Sequence, residues 1–334
     1  MPSRPFDPPR WLRGCHIQTL LPSTGLIRSP KINYRREVHT LADGDKVAVD
    51  WLDLPINTDA PLVIILHGLE GSSDGPYSRS LVHACAEAGW NAAVLHFRDC
   101  GGYPNIKPRR YHAGETADID HFLTAVRTRF QGLPIAVVGY SLGGNALLKY
   151  LGEHGAPATL DAAVAVSVPF ELQGASDSIS TGFSTLYQWH LMRNMKRSLI
   201  HKFGQTNTPF DLQAALECRT FEAFDDLVTA PMHGFRDKDD YYGRCSSRQF
   251  IPRIETQTRI IHALDDPFTT PSMIPVESEL GPGVSADLPA HGGHVGFIEL
   301  ADGRLRFWLP ARILDFLSAV LSPRQTLLRS PLSY

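Results

Sequence analysis

The sequence predicts an α/β fold in which a mostly parallel central sheet is flanked by helices, and three observations carry that prediction. Five short apolar runs, LVIIL at 62–66, AAVLHF at 92–97, IAVVGY at 135–140, AAVAVSV at 162–168 and RIIHAL at 259–264, lack polar alternation, as strands buried on both faces do. Stretches of helical period lie between them, and strand alternating with helix is the signature of the class. The third observation is a tight strand-to-helix turn at Gly139-Tyr140-Ser141-Leu142-Gly143.

Each element follows in order. The segment EVHTLADGDKVAVDWLD alternates apolar and polar residues around Asp43-Gly44, so an antiparallel hairpin should open the sheet. Helices are expected from SRSLVHACAEAG, closed by Gly89, from TADIDHFLTAVRTRF after Glu115, and from NALLKYLGEHG after the Ser141 turn. The rhythm breaks after Pro169, and residues 170–232 read as a helical cap inserted into a single domain spanning 1–334. Within it, TLYQWHLMRNMKRSLIHKF places Leu186, Trp189, His190 and Arg193 at helical spacing, with Leu191, Met195 and Leu199 on a second apolar row. The pattern favours neither a moving lid nor a bundle packed on the sheet. RLRFWLPARILDFLSAVL is expected to form one terminal helix, with Pro310 near its start or at a kink, and the last residues should fray.

Composition narrows the function. The chain has 334 residues, 43% of them hydrophobic, and 32 Lys and Arg against 35 Asp and Glu give a net charge of −3. Such a length buries a core without disulfides or metals, and the absent basic excess argues against nucleic acid as a partner. The longest apolar runs fall far short of the roughly 20 residues that span a bilayer, which leaves peripheral contact with a membrane open. MPSRPFDPPRWLRG lacks the apolar stretch of a secretory signal, so a cytoplasmic location is expected. Cys15, Cys85, Cys100, Cys218 and Cys245 are odd in number, scattered and without C-x-x-C spacing, which reads as reduced thiols. Oligomeric state leaves no trace in the sequence.

The chemistry centres on Ser141. A strand feeding directly into a helix strains the serine backbone and exposes its hydroxyl, and the flanking glycines remove side chains that would collide. The same five-letter pattern recurs at Gly71-Ser72-Ser73-Asp74-Gly75, but Ser73 lies between a glycine turn and Pro76, so it reads as loop. A serine nucleophile needs a base, and the base a group that holds its tautomer. Asp265-Asp266-Pro267-Phe268 follows the last strand; Asp266 is preferred because Pro267 turns the chain off the strand end, with Asp265 as the fallback. His291-Gly292-Gly293-His294-Val295-Gly296 then supplies two histidines, of which His294, between glycines, is the expected base and His291 a surface residue. A metal reading of H-x-x-H is weak in a glycine loop with no HExxH helix. Oxyanion donors are expected in the backbone N–H groups of Leu142, next to the nucleophile, and Leu69, in the turn after LVIIL, with His67 structural.

These motifs resemble the α/β-hydrolase superfamily and, more narrowly, its YheT-like branch, which includes animal abhydrolase-domain lipid esterases. The resemblance rests on Gly14-Cys15-His16-Ile17-Gln18-Thr19, HGLEGSS at 67–73, FRDCGGYPN at 97–105, YHAGET at 111–116, GYSLGGN at 139–145, DDPF at 265–268 and GGHVGF at 292–297. It implies Ser141, Asp266 and His294 as a triad, and hydrolysis of acyl esters without a cofactor. The family pattern of Arg-Gly-Cys followed by Ser-Gly-Glu is replaced here by Arg98-Asp99-Cys100 and Gly101-Gly102-Tyr103, away from the triad positions.

The expectation is therefore a serine carboxylic-ester hydrolase acting on small-molecule, short- to medium-chain or lipid-like esters through an acyl-enzyme. An acyltransferase or thioesterase with the same triad is the alternative, and a hydrolase-fold binding protein the more distant one. Cys100 reads as a buried free thiol. Lys107, Arg109 and Arg110, like Arg193, Lys196, Arg197 and Lys202, read as solvated basic faces, the lesser alternative being attraction to anionic lipid or acidic substrates.

Overall fold

The computed structural model describes residues 5–27, 29–155, 159–204 and 208–321. Among these residues ten strands fall in two sheets. The main sheet contains β1 (Tyr34–Thr40), β2 (Lys46–Leu52), β3 (Leu62–Leu66), β4 (Asn91–Leu95), β5 (Ile135–Tyr140), β6 (Ala162–Val166), β7 (Gln257–Ile261) and β8 (Val284–Asp287), in the order β1-β2-β4-β3-β5-β6-β7-β8. β1 and β2 form the opening hairpin, with Val38 opposite Ala48, and β2 meets β4 antiparallel; the pairs from β4 through β3 and β5 to β8 are parallel.

Helices cover both faces, and strand alternation decides which side chain meets which. On one face Leu62, Ile64 and Leu66 pack with Ile119, Phe122 and Leu123 of α3 (Ala117–Arg129) and Leu147, Leu148 and Leu151 of α4 (Leu142–His154). On the other, Val63 and Ile65 pack with Leu81, Val82 and Cys85 of α2 (Pro76–Glu87) and Ile313 and Leu317 of α11 (Leu309–Leu321). α1 (Cys15–Leu20) precedes the sheet. Between β6 and β7 come α5 (Leu172–Ile179), α6 (Thr185–Phe203), α7 (Leu212–Glu217), α8 (Phe221–Phe224), α9 (Ala230–His233) and α10 (Lys238–Cys245). Met192, Met195, Leu199 and Phe203 of α6 build a separate small core with Phe224 and Val228.

Four sequence expectations are corrected. The terminal helix begins only at Leu309: Arg304–Phe307 forms β10, paired antiparallel with β9 (Ile298–Ala301) through an Asp302-Gly303 turn in which both residues have positive φ. Pro310 sits in the first turn of α11, where its missing N–H is harmless. A further core-sheet strand, β8, is too short and too evenly half-buried to show as an apolar run. On α6 the Leu186 and Trp189 row faces outward, 48% and 57% exposed, while Tyr187, Met192, Met195 and Leu199 face inward. Finally, the basic segments are not uniformly solvated: Arg110 is buried against Glu70, and the Lys202 side chain is 6% exposed, its ammonium gripped by Asp99 at 2.8 Å.

Candidate active site

Ser141 caps the N-terminus of α4 with φ 51° and ψ −119°, a conformation that costs a non-glycine residue about 1–3 kcal/mol and persists only when the surroundings over-determine it. They do so here. The Ser141 N–H donates to Val166 O at 2.8 Å and its carbonyl accepts from Asn145 N–H at 3.0 Å. A Cβ on Gly139 would lie 2.5 Å from Gly143 O, and one on Gly143 2.5 Å from the carbonyl oxygens of Leu66 and His67. No side chain fits at either position, so β5, α4 and the end of β3 close on the serine and fix its hydroxyl.

The imidazole of His294 places Nε2 3.0 Å from Ser141 Oγ and Nδ1 2.9 Å from Asp266 Oδ2. Asp266 is buried, and its other oxygen accepts the Phe268 N–H at 2.9 Å. Phe268 stacks on the imidazole with ring centroids 4.0 Å apart and planes 15° from parallel. Asp265 lies beside this contact but serves the loop: it accepts the Gly293 N–H at 2.9 Å and faces His291 Nδ1 at 3.3 Å.

The loop expected to supply one of the oxyanion donors lies at the end of β3. Gly68 approaches the elbow so closely that a Cβ there would meet Ser141 Cβ at 3.3 Å. Its own N–H goes to Tyr77 OH at 3.0 Å, and the Glu70 N–H goes to Tyr111 OH at 2.7 Å. Between them the Leu69 N–H has no hydrogen-bond partner among the described residues. Leu142, in the first turn of α4, likewise carries one of the N–H groups that a helix cannot satisfy internally. His67 is buried and neutral, its pKa driven to about 3 by desolvation and by His96, and it accepts the Phe97 N–H.

Glu70 ties this loop to the rest of the molecule. Its backbone is left-handed, with φ 52°, and its carboxylate accepts from Arg110 at 2.9 Å, from Tyr111 OH at 3.0 Å and from the Ser198 hydroxyl of α6. Nearby, Lys202 of α6 donates to both oxygens of Asp99 and to the carbonyl of Arg109. The helix over the site is thus fastened directly to the loop that bears Leu69.

Ser141 and His294 open onto a cavity whose walls are mainly apolar, with Leu142, Leu172, Ile179, Leu191, Met195 and Phe221 contributing. The comparison with protein families matches residues 61–301 to the family described as alpha/beta hydrolase fold. The chain belongs to the α/β-hydrolase family. This α/β-hydrolase is 40% identical over 325 residues to YheT of Escherichia coli (strain K12), provisionally named an esterase, covering 96% of this chain and 95% of that one. It is 30% identical over 302 residues to phospholipase ABHD3 of Mus musculus, covering 88% and 73%. Among solved structures, the Pyrococcus furiosus esterase Pf2001 superimposes with a TM-score of 0.58 at 16% identity, over 87% of this chain and 91% of that one, a likeness of fold.

Sequence reasoning missed how this α/β-hydrolase holds its histidine loop. Thr19 Oγ1 accepts the His294 N–H at 2.9 Å, Ser167 Oγ accepts the Val295 N–H at 3.0 Å, and Gln18, wholly buried, bonds both the N–H and the carbonyl of Ile298. Gly293 and Gly296 press against the backbone of Cys15 and Gln18, where a Cβ would lie 2.4 Å and 2.2 Å from the respective carbonyl oxygens. The Gly14–Thr19 motif was visible; its partner, far away in sequence, was not. Cys100 is buried, and burial raises its thiol far above the range of a nucleophile. Among the described residues no group of three or more His, Cys, Asp or Glu is placed to hold a metal, and no helix is long and apolar enough to cross a membrane.

Proposed function

We propose that this α/β-hydrolase is a serine carboxylic-ester hydrolase acting on short- to medium-chain or lipid-like acyl esters. The observation that carries the reading is the contact chain from Asp266 through His294 to Ser141, with 2.9 Å and 3.0 Å separations, at the wall of an apolar cavity. His294 Nε2 takes the Ser141 proton as Oγ attacks the ester carbonyl. Asp266 holds the proton on Nδ1 and stabilises the imidazolium, and the N–H groups of Leu69 and Leu142 receive the oxyanion. The imidazolium then protonates the departing alkoxide. Water, with His294 again as base, attacks the acyl-enzyme, releasing the acid and restoring the serine.

The apolar walls support an acyl or alkyl chain, because burying each methylene contributes about 0.8 kcal/mol. The names of mouse ABHD3, a phospholipase, and of Pf2001, an esterase, agree with ester chemistry. The test is Ser141→Ala. It should fold, lose labelling by a fluorophosphonate probe, and lose hydrolysis of p-nitrophenyl esters by at least about 10⁴-fold; turnover equal to that of the unaltered protein would refute the assignment.

A further inference from the structure

The cavity that receives Ser141 is not apolar throughout. α8 passes into a single turn of π-helix, Asp225–Thr229, before α9 begins, and Asp225 lies on the cavity wall with Ser176, Tyr241 and Tyr242. A wider i→i+5 turn is uncommon and recurs at functional sites. One oxygen of the Asp225 carboxyl accepts from Thr229 Oγ1 at 2.6 Å, the other from Tyr242 OH at 2.8 Å. The Tyr241 hydroxyl is already occupied by the Ala113 N–H at 2.9 Å.

A carboxylate has about four acceptor directions, and the protein fills two of them here. No Lys, Arg or His forms an ion pair with it among the described residues. Desolvation pushes its pKa up to about 6, so near neutrality it is largely ionised, in a setting that penalises the charge. A plain hydrocarbon chain packed against it would strip its remaining hydration and give nothing back. A chain bearing a hydroxyl would donate the missing hydrogen bond.

We infer that Asp225, held by Thr229 and Tyr242, forms a polar subsite that selects esters whose chain carries a hydroxyl group where it reaches the π-turn, over the same esters without it. The inference rests on the esterase reading of Ser141. It adds a specificity element that neither the triad nor the family match contains.

The test compares kcat/KM for p-nitrophenyl alkanoates and their ω-hydroxy counterparts, matched in length from butanoate to dodecanoate. At the chain length that reaches the π-turn, the hydroxylated ester should be preferred by about tenfold or more, the range of a hydrogen bond to a charged group. In Asp225→Leu the preference should reverse in favour of the plain chain, and in the isosteric Asp225→Asn, the variant used if the leucine protein does not fold, it should shrink by about tenfold. Preference for the plain chain at every length in the unaltered protein would overturn the subsite, as would a ratio that Asp225→Asn leaves unmoved; the carboxyl would then only tie α8 to α10. Calorimetric binding of the matching alkyl and ω-hydroxyalkyl amides to Ser141→Ala reads the same selectivity without turnover. Discrimination there without hydrolysis in the unaltered protein would sink the esterase reading and keep the subsite, whereas turnover without discrimination would do the opposite.

Discussion

Asp266→Asn is the sharpest test of which of the two adjacent carboxylates serves the imidazole. The native side chain accepts at both oxygens, from Phe268 N–H on one side and facing His294 Nδ1 on the other. An asparagine has only one acceptor oxygen. The half-buried Phe268 N–H keeps it, because leaving that donor unpaired would cost up to about 1–3 kcal/mol. The amide NH₂ then points at Nδ1 and forces that nitrogen to accept, which moves the imidazole proton to Nε2. His294 would face Ser141 Oγ as a donor and could not take its proton. The wrong tautomer is expected to lower kcat by roughly 10⁴-fold, about 5.5 kcal/mol of lost transition-state stabilisation. KM should change little, since Asp266 is not on the cavity wall. Asp265→Asn, which keeps an acceptor for Gly293 N–H, should stay within about tenfold of the parent. Steady-state hydrolysis of p-nitrophenyl butyrate, with thermal melts to establish folding, reads both. If Asp266→Asn stays near full activity while Asp265→Asn collapses, the tautomer argument fails and the roles are exchanged.

Three further outcomes are expected. Gly143→Ala places a Cβ 2.5 Å from two carbonyl oxygens and should destabilise the protein by about 3 kcal/mol or more, seen as a large fall in melting temperature; a melt like the parent's would mean the elbow is looser than described. Ser198→Ala cuts the bond from α6 to Glu70 and should lower kcat about three- to tenfold by loosening the Leu69 N–H, with KM nearly constant; a change confined to KM would show that α6 acts only on binding. Acidification from pH 6.5 toward 4.5 should destabilise the fold. His67 and His112 (about 3) and His262 (about 4) are held neutral by burial, so the unfolded chain takes up protons that the folded chain refuses, at about 1.4 kcal/mol per pH unit for each. The raised carboxyls of Asp225, Asp265 and Asp118 work in the opposite direction and offset part of this. Urea midpoints that hold constant or rise across that interval would contradict the balance.

The readable parts of the chain were those where one local rule acts alone. β3, β5 and β6 are covered on both faces, so each is an unbroken apolar run, and Ser141 sits where β5 meets α4 with no residue to spare. What stayed hidden depends on distant partners or on mixed signals. β8 shows four half-buried residues at the edge of the sheet, and β10 alternates exposed and half-buried residues that merge in sequence with the start of α11. Lys202 looks like any helix-surface lysine until Asp99 arrives from another loop. Asp225, too, appears as one of two acidic residues in an unremarkable stretch, because nothing local announces a π-turn or the approach of Tyr242.

The grip of Thr19 and Gln18 on the histidine loop also bears on when, during its own synthesis, the protein can become active. Thr19 precedes His294 by 275 positions, so the contact between them closes only once both have been synthesised. A ribosome stalled between the Ser141 turn and that loop would carry a chain that holds Ser141 but lacks His294. On the proposed reading of the site, ester hydrolysis would begin only once residue 294 has been made and docked on Thr19.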